Sequence, residues 1–432
     1  MPESAPPKPQ RIAIVLTLLV TAIAVYFATR RESPPDRPPL ADLGRIPDWS
    51  RLQTYDGVLS RAQFERELTE VFTIGDTWRD YLTISDSSVM IAVRNDEPIS
   101  IAFAAEEPGK SPPRYWRPAE ELPVVPSDKP LTGLHIALDP GHIGGDYAKL
   151  EARWFQIGDA HPVMEGEMVL KVAQLLAPQL RELGAKVSLV RESTQPVTPK
   201  RKEDFEAFAR KQLREGSPSE IAALSERLFY RTAEIRERAR IINEELKPDL
   251  VVCLHFNAEA WGDPANPTLT AVNHFHVLIN GAYTPGEVDH DDERFEMLNR
   301  LLQGMHRTEA EMASVMAEAF VDITALPPYL YDPNSGRALN IDGNPFVWAR
   351  NLLANRLYQC PVLFLEPYVM NSHEVHARIQ AGDYQGLKEI NGQPQPSIYR
   401  EYAEAVSSGL TEYYRRYRKL DRSQDTGSGS PE

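Results

Sequence analysis

The residues of this sequence that are best suited to chemistry stand where short apolar runs end. His142 follows such a run and the turn Asp139-Pro140-Gly141, and His255 and Glu366 each come directly after an apolar run. Runs of this kind are typical of buried strands, and in open α/β sheets ligands bind at the carboxyl ends of the strands. If the three strands are neighbours, two imidazoles and a carboxylate converge on one site.

Glu165 is the best further acidic candidate for the same site. A helix predicted from Met168 onward carries an apolar stripe, and Glu165 falls on that stripe if the helix begins by residue 165. Glu167 lies about 200° further round such a helix and faces mostly water. Glu165 is therefore the better inward-facing carboxylate. The alternative is that it is simply an acid favoured at a helix N-terminus by the helix dipole.

Strand and helix signals alternate along the chain from Leu131 onward. Patterns typical of strands and of helices occur in turn, at 134–138, 168–183, 186–190, 221–246, 250–254 and 361–365. This alternation predicts an α/β fold with an open, mostly parallel sheet and helices on both faces. We assign residues 131–420 to this large domain.

The N-terminal segment contains an apolar, uncharged run from residue 12 to residue 28, flanked on both sides by basic residues. A helix over this run, at about 1.5 Å per residue, is marginal for a bilayer core and long for a signal peptide. No clean cleavage motif of small residues precedes Arg30. We expect residues 1–30 to be either an uncleaved signal anchor in the inner membrane or a cleaved signal peptide. Both alternatives export the rest of the chain to the periplasm or cell envelope.

Proline, with 36 residues, is concentrated in stretches outside the large domain. Two proline-rich stretches, 31–48 and 108–130, are predicted to be linkers. Between them, residues 49–107 combine a helical pattern with three short strand patterns, which indicates a small α+β domain. Residues 421–432 are rich in Ser, Gly and Asp, and we expect a disordered tail there.

The overall composition excludes several classes of protein. Of 432 residues, 42% are hydrophobic and 25% are charged, which is an ordinary globular balance. Only two are cysteine, too few for a cysteine-rich metal cluster or a disulfide framework. Cys253 and Cys360 are interpreted as small buried residues, with a disulfide between them left open. The net charge of −15 argues against a nucleic-acid partner, and the oligomeric state stays open.

Four blocks of the sequence resemble the zinc-dependent N-acetylmuramoyl-L-alanine amidases of the type-3 class, which cut bacterial peptidoglycan. The blocks occur in the family's order, and together they make the resemblance specific. They are Asp139-Pro140-Gly141-His142 with Gly144-Gly145, then Glu165 to Arg191, then Arg238 to Ala258, and finally Pro361 to Glu366 with Asn371 and Glu374.

The resemblance implies that His142, Glu165 and His255 ligate one Zn²⁺ ion and that Glu366 is the catalytic carboxylate. Two neutral imidazoles and one carboxylate leave a fourth position open for water, which is typical of a catalytic zinc site. Zinc lowers the pKa of that water towards about 7, and Glu366 could pass its proton to the leaving amine. The implied substrate is the amide between N-acetylmuramic acid and the L-alanine of the stem peptide. The implied partners are peptidoglycan and, through residues 1–30, a membrane.

Three insertions depart from the family pattern. His142 and Glu165 are further apart than the family leads us to expect, and His161 in the intervening loop is a rival metal ligand. Two aromatic residues of this loop either line a substrate groove or pack within the loop: Trp154 and Phe155. The other insertions are 192–229 and 283–350, and the second contains a helical pattern that either covers the domain or blocks the site. This pattern runs from residue 293 to residue 325.

Two alternative functions are compatible with the same residues. The chain could be a zinc peptidase or another amidohydrolase with the same site, or a non-catalytic wall-binding or regulatory protein. All four chemical residues are present, which argues against the non-catalytic alternative. Two further histidine pairs are weaker candidates for metal ligands: His274 with His276, which share one face of a predicted strand, and His373 with His376.

Overall fold

The computed structural model describes residues 39–93, 97–107, 109–263 and 266–421. The predicted signal anchor or signal peptide lies outside these residues, as does all of the predicted C-terminal tail except Asp421. Within the part of the chain that is described, no helix is both long enough and apolar enough to cross a membrane.

A sheet of seven strands forms the centre of the large domain. In chain order the strands are β1 (His135–Pro140), β2 (Lys186–Leu189), β3 (Leu250–Leu254), β4 (Phe275–Ile279), β5 (Leu339–Asn340), β6 (Val347–Ala349) and β7 (Val362–Pro367). Their order across the sheet is β5-β6-β4-β7-β3-β1-β2. The neighbours β2, β1, β3 and β7 run parallel, and β4 is parallel to β6 but antiparallel to β7. The predicted α/β fold with an open, mostly parallel sheet is confirmed.

Helices cover both faces of this sheet. Three long helices pack side by side on one face: Glu165–Glu182, Met305–Thr324 and Ile398–Tyr417. Glu234–Arg240 and Leu353–Leu357 cover the other face. All five residues of β3 are buried, because the strand is covered on both sides. A strand in that environment has a continuous apolar sequence rather than an alternating one.

The remaining elements of the large domain are short. The further α-helices are Glu206–Leu213, Pro218–Arg227, Pro285–Asp289, Asp291–Leu302 and His373–Gln380, and π-helical turns cover Leu228–Ala233 and Ile241–Leu246. Three two-stranded ribbons pair Trp154–Phe155 with Val163–Met164, Leu387–Ile390 with Gln393–Pro396, and Val125–Pro126 with Leu420–Asp421.

Of the two long helices expected from the sequence, the one over 221–246 is continuous but contains π-helical turns, and the one over 293–325 is divided. The pattern over 221–246 becomes two α-helices that are each followed by a π-helical turn. The pattern over 293–325 is divided at Gly304, whose φ of 66° lies in the left-handed region that ends a helix. Helix Ile398–Tyr417 was not predicted, although it packs on both of the other long helices.

Residues 49–107 form helical segments and a three-stranded antiparallel sheet, called the N-terminal unit below. Its elements are Trp49–Tyr55, Arg61–Glu67, Leu68–Phe72, Thr77–Asp80, Leu82–Ile84, Ser88–Ile91 and Ile99–Ala102. Trp49 meets Phe295 edge to face, with 5.5 Å between the ring centroids. The Tyr55 hydroxyl donates to Asn299 Oδ1 at 3.1 Å. Apolar side chains of the unit and of the large domain belong to one continuous core.

The proline-rich stretch after the N-terminal unit lies on the surface of the large domain. The Trp116 indole is buried and its N–H donates to Gln303 Oε1 at 3.3 Å. Arg117 forms an ion pair with Asp249, with 2.7 Å between Nη2 and Oδ2. Residues 109–130 are therefore attached to the domain rather than spanning a gap between two separate bodies.

The shared core gives a testable expectation for Trp49. The Trp49 side chain is only 6% exposed and packs against Phe295. Trp49→Ala should therefore lower the free energy of unfolding, measured by urea denaturation, by about 3–5 kcal/mol. Ile46 is 70% exposed, so Ile46→Ala should change it by less than about 0.5 kcal/mol. Equal stability of the two variants would show that the N-terminal unit is not part of the domain core.

Candidate active site

Three of the predicted site residues meet at the carboxyl ends of β1 and β3. His142 follows β1, His255 follows β3, and Glu165 begins helix Glu165–Glu182. Glu165 Oε2 lies 3.2 Å from His142 Nε2, and Glu165 Oε1 lies 3.0 Å from His255 Nδ1. One donor atom from each residue lies within 4.8 Å of the others. The three residues, called the His/Glu/His triad below, could together hold a metal ion.

Close backbone contact determines the position of Glu165. Gly144 has a left-handed φ of 82°, and a Cβ on Gly166 would lie 2.4 Å from the backbone nitrogen of Gly144. Glycine at 166 therefore lets the start of the helix touch the loop that follows β1. The Glu165 side chain is 2% exposed and accepts a hydrogen bond from the backbone N–H of Phe256 at 3.1 Å. Glu167, by contrast, is exposed.

Another glycine makes room for His255. A Cβ on Gly141 would lie 2.1 Å from His255 Cε1, which is far inside van der Waals contact. The imidazole also stacks on Phe364 of β7, with 4.2 Å between the ring centroids. Tyr402 donates a hydrogen bond to the His255 carbonyl oxygen at 3.1 Å. The ring is therefore held between the backbone at Gly141 and a side chain of β7.

A buried group of charges holds the backbone of His142. His142 has a left-handed φ of 56°, a conformation that a residue with a side chain keeps only when its surroundings stabilise it. Arg238 donates to the His142 carbonyl oxygen at 2.7 Å and contacts Asp139 Oδ1 at 2.9 Å and Glu234 Oε1 at 3.0 Å. A buried guanidinium is stable only when its charge is compensated. The two acids therefore fix Arg238, and Arg238 fixes the turn at His142.

Glu151 holds the next residues of the same turn. Its carboxylate accepts hydrogen bonds from the backbone N–H groups of Ile143 at 2.9 Å and Gly144 at 3.2 Å. Although burial opposes it, the contact with His142 and these backbone donors hold the pKa of Glu151 below its ordinary value. Glu151 Oε1 lies 3.6 Å from His142 Nδ1, so the Nε2 atom of that ring faces Glu165.

Arg153 places a positive charge beside the triad. Its Nε lies 3.1 Å from Glu165 Oε2 and 3.3 Å from His142 Nε2. Although burial opposes it, His142, His255 and Arg153 together hold the pKa of Glu165 at about 2. The triad therefore contains a buried negative charge, with the Arg153 guanidinium beside it. Sequence reasoning missed Arg153, because it stands in an irregular insertion where no periodicity marks it.

Glu366 lies at the end of β7 and lines the same cleft as the triad. The cleft has a volume of about 540 Å³, and Arg153, Arg350 and Trp261 also line it. Burial and the nearby Glu165 carboxylate raise the pKa of Glu366 to about 8. A raised pKa makes this carboxyl group a stronger proton acceptor than an ordinary glutamate.

The other predicted histidine candidates lie outside the triad. His161 is exposed on its loop. His274 and His276 are buried, with 6.4 Å between their ring centroids, and neither belongs to a cluster of three ligands. His373 is exposed and His376 is buried in the helix after β7. Throughout the described residues, the triad is the one group of three histidine, cysteine or acidic side chains close enough to share a metal ion.

The aromatic loop residues and the two cysteines have packing roles. Phe155 is fully buried, 5.2 Å from the Trp261 ring, and Trp154 is partly buried. Neither Trp154 nor Phe155 lines the cleft. Cys253 and Cys360 are buried and free, so the disulfide that the sequence left open is not formed.

The insertion 283–350 does not place a helix in the cleft. Its two longer helices, Asp291–Leu302 and Met305–Thr324, pack against other helices and the sheet. Among the described residues that line the cleft, Arg350 is the single member of this insertion. The helices therefore cover the domain, which is the first of the two alternatives left open by the sequence.

A family model described as N-acetylmuramoyl-L-alanine amidase (Amidase_3) matches residues 136–386, which is more than half of the 432 residues. The matched range contains the triad and Glu366. No curated protein sequence matches the chain significantly.

Several solved structures are similar to the chain. The N-acetylmuramyl-L-alanine amidase Ami1 from Mycobacterium abscessus has 18% identity and a TM-score of 0.37, covering 65% of this chain and 99% of that one. The catalytic domain of CwlV from Bacillus (Paenibacillus) polymyxa var. colistinus has 14% identity and a TM-score of 0.37, covering 65% and 98%. The amidase AmiC2 of Nostoc punctiforme has 16% identity and a TM-score of 0.36, covering 66% and 99%.

The contact between Gly141 and His255 can be tested by metal binding. Gly141→Ala should displace the His255 ring and weaken Zn²⁺ binding by at least about 10-fold, the loss seen when the support of a ligand is removed. Competition with a fluorescent chelator measures this affinity. Gly286→Ala is the matched control, because nothing lies within 4 Å of the added Cβ. Unchanged affinity in Gly141→Ala would contradict the proposed packing constraint.

Proposed function

Because the chain belongs to the N-acetylmuramoyl-L-alanine amidase family, we propose that it hydrolyses, with zinc, the amide bond between N-acetylmuramic acid and the L-alanine of the peptidoglycan stem peptide. The observation that carries this proposal is the convergence of His142, Glu165 and His255 beside Glu366 in one cleft. Enzymes of this family act on peptidoglycan, and the proposal assigns that activity to these four residues.

The donor set of the triad fits a catalytic zinc ion. Two imidazoles and one carboxylate are a common protein ligand set for such an ion, and they leave one coordination position for water or substrate. Glu165 is ionised at neutral pH, as a metal-binding carboxylate must be. Glu151 lies 3.6 Å from His142 Nδ1, on the side of the ring away from Glu165, where a carboxylate commonly orients a metal-binding imidazole. When bound, zinc acts as a Lewis acid that lowers the pKa of water and polarises the scissile carbonyl.

Glu366 is the residue that we propose moves the proton. Its carboxylate accepts a proton from the attacking water and delivers it to the amine that leaves with L-alanine. Burial beside Glu165 raises the pKa of Glu366, which favours holding that proton between the two steps. Glu366 lines the same cleft as the triad, which supports action of both on one substrate. Arg153 helps to keep Glu165 ionised, so that the triad retains its negative charge.

The substrate of the family implies a location in the cell envelope, because peptidoglycan lies outside the cytoplasmic membrane. We propose that the apolar segment at 12–28 directs export of the chain, as a signal anchor or as a cleaved signal peptide. This segment lies outside the described residues.

Digestion of purified peptidoglycan tests the proposed reaction. The wild-type protein should release stem peptides whose free N-terminus is L-alanine, identified by mass spectrometry. Glu366→Gln should retain zinc but lower the rate by at least about 100-fold, because general acid–base catalysis is lost. Glu389→Gln, at an exposed position of the Leu387–Ile390 strand, is the control and should keep the wild-type rate.

Other products would contradict the proposal. Peptides cut within the stem would indicate a zinc peptidase, and a wild-type protein that binds no zinc and releases nothing would indicate a non-catalytic wall protein. Full hydrolysis by Glu366→Gln would show that the wrong proton carrier has been assigned.

The assignment of Glu165 as a ligand rests on a comparison with Glu167. Glu165 is buried in the triad and Glu167 is exposed two residues along the helix. Glu165→Ala should weaken zinc binding by at least about 100-fold, because the effect of losing a ligand exceeds that of losing its support. Glu167→Ala should bind zinc like the wild type, as measured by chelator competition. The reverse order of affinities would overturn the assignment.

A further inference from the structure

A second cavity opens off the catalytic cleft, and it is called the side cavity below. Its volume is about 280 Å³, and Glu259, Arg350 and Glu366 are among the residues that line both spaces. The insertion 283–350 supplies much of its wall, including Tyr331. A substrate that reaches Glu366 therefore has direct access to the side cavity.

A directed chain of hydrogen bonds orients Arg350 in the side cavity. Arg350 Nη1 donates to the Tyr331 hydroxyl oxygen at 3.3 Å, and this hydroxyl lies 3.3 Å from His276 Nε2. Burial and the nearby positive groups lower the pKa of His276 to about 3, so its imidazole is neutral and can accept the Tyr331 proton. Because a guanidinium can only donate, the chain runs in one direction, from Arg350 through Tyr331 to His276.

Among the described residues, no acidic side chain lies within ion-pair distance of Arg350, although its charge acts on the Glu366 carboxyl group that lines the same two cavities. The nearby acids have other contacts: Glu259 lies 3.2 Å from His274 Nε2, and Asp332 accepts a hydrogen bond from the Asn334 backbone at 2.9 Å. Within the described residues, the guanidinium donates one side-chain hydrogen bond, to Tyr331, so further N–H donors have no protein acceptor.

The chemistry of the proposed substrate identifies which group this arginine fits. In N-acetylated peptidoglycan the lactyl carboxyl is consumed in the scissile amide, so the glycan beside it carries no charge. The free carboxylates of the substrate lie on the stem peptide, on its acidic residues and at its C-terminus. A guanidinium binds a carboxylate through two parallel N–H···O bonds, which neither a sugar hydroxyl nor a primary amide reproduces.

We propose that Arg350 binds a free carboxylate of the stem peptide in the side cavity and thereby selects acidic over amidated stems. This inference rests on the proposed amidase function and adds a specificity determinant to it. Arg350 touches the substrate in this arrangement, whereas Tyr331 is a positioning residue that acts through Arg350.

Pairs of muramoyl peptides test the selection. Within each pair, one free stem carboxylate is replaced by a primary amide and nothing else changes. At one of the stem positions, the wild-type enzyme should prefer the carboxylate substrate over its amide partner by about 10-fold to 100-fold in kcat/KM. This is the range expected for a charge-assisted hydrogen bond. Arg350→Gln should bring this ratio close to one. The change should come from a higher KM for the carboxylate substrate, with kcat unchanged.

Further variants separate this role from a structural one. Arg350→Lys keeps the charge without the planar fork and should retain part of the preference. Tyr331→Phe should reduce the preference, but it should have no further effect in an Arg350→Gln background, because both changes remove the same interaction. Arg210→Gln, which lines neither the cleft nor the side cavity, is the control and should keep the wild-type ratio. Thermal unfolding of each variant shows that it is folded.

The results separate failure of the carboxylate assignment from failure of the amidase function. Hydrolysis of all substrates without preference, a preference that survives Arg350→Gln, or an equal loss of kcat on both members of a pair would overturn the carboxylate assignment and leave the amidase function intact. A folded, zinc-loaded wild-type protein that hydrolyses no muramoyl peptide would overturn both.

Discussion

The close approach of backbone to backbone after β1 is the constraint on which the site depends. Gly144 and Gly166 bring the loop into contact with the start of a helix, and Gly141 leaves space for an imidazole from the neighbouring strand. Side chains at these positions would separate three elements that must lie within a few ångströms of one another. The left-handed backbone of His142 belongs to the same tight turn, which stays in place because buried charged groups hold its carbonyl and amide groups.

Charge compensation connects this turn with the reacting groups. Acidic and basic side chains alternate from Glu234 through Arg238 and Asp139 to the turn, and from Glu151 through His142 and Glu165 to the partly exposed Arg153. The buried members of these series are stable because each neighbour has the opposite charge or donates a hydrogen bond. The environment keeps Glu165 ionised and raises the pKa of Glu366, so two carboxyl groups in one cleft acquire different properties.

The residues at strand ends could be predicted from the sequence, because a continuous apolar run marks each buried strand and the next polar residue lies at the sheet edge. The same periodicity placed Glu165 on the inward face of its helix and Glu167 outside. Arg153 could not be found in this way, because it lies in an irregular insertion. Arg350 directly follows β6, but this strand has only three residues, too short an apolar run to mark it in the sequence. The place of both arginines in the site depends on long-range packing, which brings them into one cleft with Glu366.

The bond between Tyr55 and Asn299 joins residues 244 positions apart in the chain. The apolar side chains of the N-terminal unit are synthesised early, yet their partners in the core follow only when most of the chain has been made. Until then this unit has no complete interior, and contacts of such long sequence separation form slowly. The core of this unit can therefore form only after helix Asp291–Leu302 has been made, and the exposed apolar segment needs protection from aggregation during that interval.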